Sequence, residues 1–396
     1  MAASRAARVR AGLAAAAVLL AACRTVPPPD PGRLARTETR LGQLLLVGFG
    51  GVALSDNAEL ERLLCGAKVA GVIVFGRNIE SPEQLRRLTG DAAARALGCT
   101  GRPLLVAVDA EGGRVMRLGP AAGYTATLSA RDLGDANDLA LTELEARRMG
   151  AMLREAGINW NLAPVVDVGY NPANPVIVGQ GRSFSANPRW VAAQARAFIT
   201  GMHAEGVLTA LKHFPGHGSS RTDSHQGFVD VTDTANAEVE LAPYRILVAE
   251  GPVDSVMTAH VFNRLVDPRY PATLSPNTIG RLLREDVGWK GLVVSDDLRM
   301  AAIQQRYGIE RAVVLALGAG VDVLLIAEDR LSDGRSAAEV ALGAIRRALA
   351  RGDLDLDRIE SALARGEAFR ARVPLPAAPP PRRAAGARPG HRGACT

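Results

Sequence analysis

The chain has 396 residues, 47% of them apolar and only 4% aromatic, so its core must be aliphatic, built mostly on Ala, Leu and Val. The formal charge of +6 dissolves once it is placed: Arg5, Arg8, Arg10 and Arg24 lie at the front, Arg382, Arg383, Arg388 and Arg392 at the back, and without these eight, 39 basic residues face 41 acids. A near-neutral body has no basic stripe to follow a phosphate backbone, which excludes nucleic acid as the partner.

Residues 1–22 read as a processing signal. Basic residues at 5 to 10 precede an apolar run over 11–22, too short to span a bilayer as a helix and of the right length for a signal core. The run ends Leu20-Ala21-Ala22-Cys23, which resembles a bacterial lipoprotein signal; the resemblance implies that Cys23 becomes the lipidated first residue and anchors the protein to a membrane. Arg24 beside it resembles lipoproteins sent to the outer membrane, so the expected location is the periplasmic face of that membrane in the cell envelope. Residues 23–36, with Pro27-Pro28-Pro29, suit an extended tether. Export would place the chain in an oxidising compartment. Cys65 and Cys99 each sit a few residues ahead of a predicted strand, so a disulfide and two separate buried thiols both fit. Cys395 lies in a Pro/Ala/Arg/Gly-rich tail, 374–396, that reads as disordered.

Between tether and tail, 37–373 reads as one domain. Eight short apolar runs occupy 44–47, 71–75, 104–108, 160–166, 207–211, 255–259, 292–295 and 321–326. They are near-continuous rather than alternating, as strands buried on both faces should be. Helical segments follow nearly all of them, at 82–97, 139–155, 188–205, 237–250, 276–286, 310–318 and 337–351, with Ser81-Pro82 and Asn187-Pro188 placing Pro at a first helical position. Eight such units give α/β architecture and a (β/α)8 TIM-type barrel, with a doubly wound sheet as the alternative.

A barrel carries its chemistry at the C-terminal ends of its strands. Polar residues gather there: Asp109 and Glu111 after the third run, Asp167 after the fourth, Lys212 and His213 after the fifth, His260 after the sixth, Asp296 and Asp297 after the seventh. Gly48-Phe49-Gly50-Gly51 loosely matches a dinucleotide fingerprint, but the second strand ends Phe75-Gly76-Arg77, where an acid should meet the ribose, and no cofactor is implied. Asp109-Ala-Glu111-Gly-Gly-Arg114-Val-Met-Arg117 offers an Asp and arginines that can hold several hydroxyls, or can merely close the barrel top as a salt bridge. Arg182 adds another guanidinium in a long loop after the fourth strand. His213 and His217 are four apart, yet Pro215-Gly216 between them breaks any shared helical face, so no metal site is expected and His217 reads as a residue of the turn. Asp296 is either a buried cap or, partnered by an Asp/His loop, a nucleophile for glycosyl transfer.

Taken together, Lys212-His-Phe-Pro-Gly-His-Gly with Asp223-Ser-His225, Asp109-x-Glu-Gly-Gly-Arg, Arg182-Ser-Phe and Ser295-Asp-Asp-Leu resemble glycoside hydrolase family 3, in its β-N-acetylglucosaminidase (β-hexosaminidase) branch. The resemblance covers most of the body, including Phe75-Gly-Arg-Asn-Ile, Met257-Thr-Ala-His and Pro271-Ala-Thr-Leu-Ser. It implies that Asp296 is the nucleophile and His225 the general acid/base, oriented by Asp223. Asp109, Arg117, Arg182, Lys212 and His213 would hold a terminal N-acetylglucosamine. Ser219-Ser220-Arg221 departs from the Asp or Thr usual after Gly-His-Gly, which bears on loop dynamics. A histidine titrating near neutrality suits a group that donates and then accepts a proton. Family members that borrow the acid/base from a second domain need more chain than follows this barrel, so it is expected to come from the barrel itself. The implied activity is a retaining exo-β-N-acetylglucosaminidase acting, as a monomer, on peptidoglycan fragments or chitooligosaccharides. A phosphorylase of the same fold and a non-catalytic sugar-binding lipoprotein are the alternatives.

Overall fold

The computed structural model describes residues 30–55 and 57–373. The expected signal (1–22), Cys23, the first part of the tether, and the tail 374–396 with Cys395 lie outside the described residues.

Eight parallel strands follow one another: Leu45–Gly48, Gly71–Val74, Leu105–Val108, Trp160–Asn161, a fifth in two pieces (Leu208–Thr209 and Leu211–Phe214), Ser255–Thr258, Leu292–Ser295 and Leu324–Ile326. Each of the first seven pairs with its sequence neighbour, and the eighth pairs with the first. The seventh and eighth meet at the bridge between Val294 and Val323. Parallel pairing therefore returns to its start, as a barrel requires.

The near-continuous apolar runs follow from two cores. Leu46, Ile73, Leu105 and Ala107 point inside, with Leu325, while Leu45, Val47, Val72 and Val74 face the helices. Successive strand residues point to opposite faces, so both sets must be apolar. Phe369 joins the inner core and packs on Trp160 with ring centroids 4.9 Å apart. Near the start of the eighth strand, fully buried Asp322 receives Arg284, Arg358 and Arg365 at 2.8 to 2.9 Å. It also accepts from Val293 N at 3.0 Å.

Helices begin where the chain offers caps. Ser81 accepts from Gln84 N at 3.2 Å ahead of Pro82–Thr100, and Asn187 accepts from Arg189 N at 3.0 Å ahead of Pro188–Ala204. Both place Pro at the first turn, where its missing N–H has no partner to lose.

Several expectations need correction. The run 160–166 is a strand only over Trp160–Asn161, because Pro164 has no N–H to give the ladder; Val165 still bridges to Lys212. The fifth strand extends to Phe214, beyond the expected run 207–211, so Lys212 and His213 lie within the strand rather than just after it. Part of the expected extended tether is a helix, Pro31–Glu38, capped by Asp30 and tied to the helix Leu356–Arg370 through Arg33 and Glu360. That last helix was not anticipated. The expected helix at 310–318 begins earlier, at Ala301, with a kink at Gly308. Cys65 and Cys99 are bridged, with Cα atoms 5.3 Å apart. The bond ties the helical turn after the first strand to the helix after the second.

Candidate active site

A cavity of about 310 Å³ opens at the C-terminal ends of the strands. Asp109, Glu111, Arg117, Arg182, Lys212, His213, His225 and Asp296 all line it, and Asp223 holds His225 from behind. All eight residues expected in catalysis or sugar binding thus meet at one place. A larger cleft of about 560 Å³, lined by Thr89, Ala93, Leu104, Ile158 and Val207 among others, contains none of them.

Lys212, 2% exposed, is the centre of the strand-end cluster. Its Nζ donates to Asp109 Oδ1 at 2.8 Å and lies 2.6 Å from Glu111 Oε1. Glu111 also accepts a two-pronged contact from Arg182, both arms 2.8 Å. Burial opposes the Glu111 charge, but Arg182 and Lys212 outweigh it and hold the carboxyl far below the usual range. Burial likewise works against the Lys212 ammonium, and Asp109 with Glu111 more than compensate, raising its pKa. Some capacity stays unspent. An ammonium has three protons, two of which are committed here. Arg117 lies 3.7 Å from Asp109, and its partly exposed guanidinium lines the cavity. These are the donors a sugar hydroxyl would find.

His213 is organised differently. Its Nδ1 lies 2.6 Å from Asp167 Oδ2 and its Nε2 3.2 Å from Arg182 Nη2. A guanidinium only donates, so Nε2 must accept and the proton sits on Nδ1, donated to Asp167. Both ring nitrogens are engaged here, so His213 aligns Arg182 at the edge of the cavity that it lines.

The two adjacent acids separate clearly. Asp297 accepts from Arg299 N and Ala327 N, both at 2.9 Å, and burial pushes its carboxyl up to about 6. It is the cap. Asp296 faces the cavity, its Oδ1 accepting from Asp297 N at 2.8 Å. Burial would raise its pKa, but His260, His225 and that N–H together keep it below the ordinary value. Neighbouring carboxyls whose pKa values are driven apart are the arrangement that divides ionised from protonated roles.

The loop after the fifth strand has a clamped root and a free tip. Asn174 Nδ2 donates to the carbonyls of His217 (2.8 Å) and Gly218 (3.0 Å), and Asn171 Nδ2 to those of Ser219 (3.1 Å) and Ser220 (3.2 Å). Glu240 accepts from Ser219 N at 3.0 Å and Tyr170 Oη at 2.8 Å. Gly218 is required here, since a Cβ would sit 2.0 Å from Val168 O. Ser219 and Ser220, the departure from the family's usual loop, are buried parts of this root. Beyond them Asp223 Oδ1 lies 2.8 Å from His225 Nδ1 and accepts from His225 N at 2.9 Å. Despite some burial, these contacts lower the Asp223 pKa. The His225 side chain is 64% exposed.

Three residues carry more than the sequence reading assigned. Glu111 bridges two cations; its two-residue spacing from Asp109, with one buried lysine needing both, was the available signal. Asp167 joins His213 to the loop root, and Glu240 anchors that root from a helix with no local motif to mark it.

A closed parallel barrel whose strand ends present an ionised buried carboxylate, an Asp–His pair on a loop and a charged cluster with spare donors has the layout of a glycoside hydrolase. The chain belongs to glycosyl hydrolase family 3: the model of its N-terminal domain matches residues 36–366. A β-hexosaminidase of Stenotrophomonas maltophilia (strain R551-3) is 39% identical over 333 residues, which span 79% of this chain and 93% of that protein. One from Xylella fastidiosa (strain 9a5c) is 42% identical over 298 residues, 73% of this chain and 84% of that one. Among solved structures, a family 3 β-N-acetylglucosaminidase from Paenibacillus sp. str. FPU-7 superposes with a TM-score of 0.78 at 37% identity. The match covers 85% of this chain and 62% of that longer one. The β-N-acetylhexosaminidase of Beutenbergia cavernae gives 0.76 at 32% identity, over 85% of this chain and 98% of that one.

Proposed function

We propose that the protein is a retaining exo-β-N-acetylglucosaminidase that removes terminal N-acetylglucosamine from peptidoglycan fragments or chitooligosaccharides. The observation that carries this reading is the pairing of Asp296 and His225 across one cavity. Asp296 is held ionised and faces the place where a sugar would sit; His225 has Nδ1 committed to Asp223, which leaves Nε2 for proton transfer. Asp296 attacks the anomeric carbon, and the glycosidic bond breaks as His225 Nε2–H protonates the leaving oxygen. Water then attacks the glycosyl-Asp296 ester, losing its proton to His225. Asp109, Arg117, Arg182, Lys212 and His213 grip the sugar, and the names of the similar β-hexosaminidases support the N-acetylglucosamine preference.

A lipid anchor at Cys23 would hold this domain at the periplasmic face of the outer membrane. The Cys65–Cys99 bridge supports an oxidising compartment. Product analysis on GlcNAc-MurNAc fragments beside chitobiose, at varied phosphate, tests the reading. Free N-acetylglucosamine at all phosphate levels is expected. N-acetylglucosamine 1-phosphate rising with phosphate would make the enzyme a phosphorylase, and binding without turnover would make it a sugar-binding protein.

A further inference from the structure

His217 stands in the most distinctive stretch of the chain and takes no part in the reaction described above. Its backbone N–H donates to Asp167 Oδ1 at 2.7 Å, and its carbonyl accepts from Asn174, so its main chain belongs to the clamped root. Its ring does something else. Nε2 reaches Ser224 Oγ at 3.3 Å, the residue between Asp223 and His225. Nδ1 is buried and has no hydrogen-bond partner among the described residues. A histidine kept only to fill a core is expected to satisfy both nitrogens, because a buried unpaired one costs stability. Here the one side-chain contact the ring makes through nitrogen is to the catalytic loop.

Ser224 is the only buried residue from Arg221 to Gln226; Arg221, Thr222, His225 and Gln226 are exposed and Asp223 is half-buried. Besides His217, Ser224 is held by Ala302 N, which donates to its carbonyl at 3.3 Å. Both contacts are long, as suits a tip that must let go. Burial holds the His217 imidazole near a pKa of about 4, so the ring stays neutral and adds no charge beside Lys212 and Arg182. Asp167 Oδ2 meanwhile holds His213, so one carboxylate aligns both the sugar-gripping cluster and the base of the loop.

We propose that His217 is a positioning residue that latches Ser224, and so holds the Asp223–His225 pair over the cavity. The inference rests on the glycosidase reading for its catalytic consequence, but the latch itself has a readout that does not. Replacing His217 with Phe keeps a ring and removes the nitrogen; Ser224→Ala removes the other end and is small enough to leave the fold intact. In either variant kcat/KM for chitobiose, which needs its leaving group protonated, should fall about 10- to 100-fold, the range expected when a general acid is misplaced. With a nitrophenyl N-acetylglucosaminide the fall should stay within about threefold, because that leaving group departs without help. The double variant should lose about as much as one single variant, since both changes break one contact. Cleavage by trypsin after exposed Arg221 should rise about tenfold in both variants as the tip opens more often.

Equal losses on the two substrates, or losses that add in the double variant, would overturn the latch. Unchanged Arg221 cleavage would overturn it as well. If the unaltered enzyme turns over neither substrate, the glycosidase reading fails, and Arg221 cleavage still decides the latch.

Discussion

Lys212 and His225 lie thirteen residues apart in the chain and in very different surroundings. Lys212 is a strand residue, 2% exposed, locked between two carboxylates that are themselves held by two arginines. His225 is on a loop tip, 64% exposed, with one partner for its ring. The strand-end cluster places charges in a dry, fixed frame, where each hydrogen bond to a sugar would be strong and orientation is set beforehand. The loop tip keeps an imidazole near solvent, able to exchange protons and to move with the leaving group. Gripping and proton transfer ask for opposite environments, and the chain supplies both by ending a strand and opening a loop within one short stretch.

The largest way to break this contrast is to remove the cation at the centre of the rigid side. Lys212→Met leaves Asp109 and Glu111 short of a counter-ion, and a buried pair deprived of one partner typically costs about 3–5 kcal/mol. The melting temperature should drop sharply and KM should rise with whatever activity remains. Wild-type stability in this variant would mean that the cluster is not the preorganised frame described here.

On the mobile side, His225→Ala should leave the melting temperature within about 2 °C of wild type, since surface substitutions rarely exceed about 0.5 kcal/mol. Activity should split by substrate, with kcat/KM for chitobiose down about 10²- to 10⁴-fold and that for an activated aryl glycoside much less affected. Equal losses on both substrates would argue against the acid/base role.

The smallest effect concerns the joint between the two regions. Burial pushes the Glu240 carboxyl up to about 7 from 4.5. The folded state therefore holds this proton more tightly than the unfolded chain does, so the stability tied to it is present at low pH and is lost as pH rises through about 7. Full ionisation would cost on the order of 3 kcal/mol. Glu240→Gln should match wild type near pH 5 and exceed it at pH 8 in chemical denaturation. Parallel curves for the two proteins across that range would contradict the assignment. Asp297, pushed up to about 6, and His217, lowered to about 4, titrate in both proteins and drop out of the difference.

Most of the barrel was legible because strands buried on both faces leave a mark that few other elements do, a short continuous apolar run followed by a capped helix. Where the reading slipped, local chemistry and tertiary packing disagreed. Pro164 cut short a run that is apolar to Val166, and the fifth strand ran on through Lys212 and His213 because a buried strand accepts a charge when two carboxylates wait for it. The helix Leu356–Arg370 went unnoticed after the eight units were counted, although Leu356, Ile359 and Leu363 recur at helical spacing and are buried. Pro31–Glu38 hid behind a proline-rich approach; its strongest tie, Arg33 to Glu360, spans nearly the whole domain. The polar residues that meet in the cavity were named from sequence, but Glu240 was not, nor was every job. Which partners hold the two ring nitrogens of His213, which of Asp296 and Asp297 is tied into the turn, and whether two cysteines meet are matters of neighbours distant in the chain.

The central claim is that Asp296, on the rigid side, forms a covalent bond to the sugar. Incubation with a fluorinated N-acetylglucosaminyl fluoride, which slows hydrolysis of a glycosyl-enzyme, followed by digestion and mass spectrometry, tests it directly. The account predicts one added fluoro-N-acetylglucosaminyl residue, its ring fluorine retained and the anomeric fluoride lost, on the peptide carrying Asp296, located to that side chain by fragmentation. The same mass on Asp297, Asp109 or any other carboxylate would contradict it.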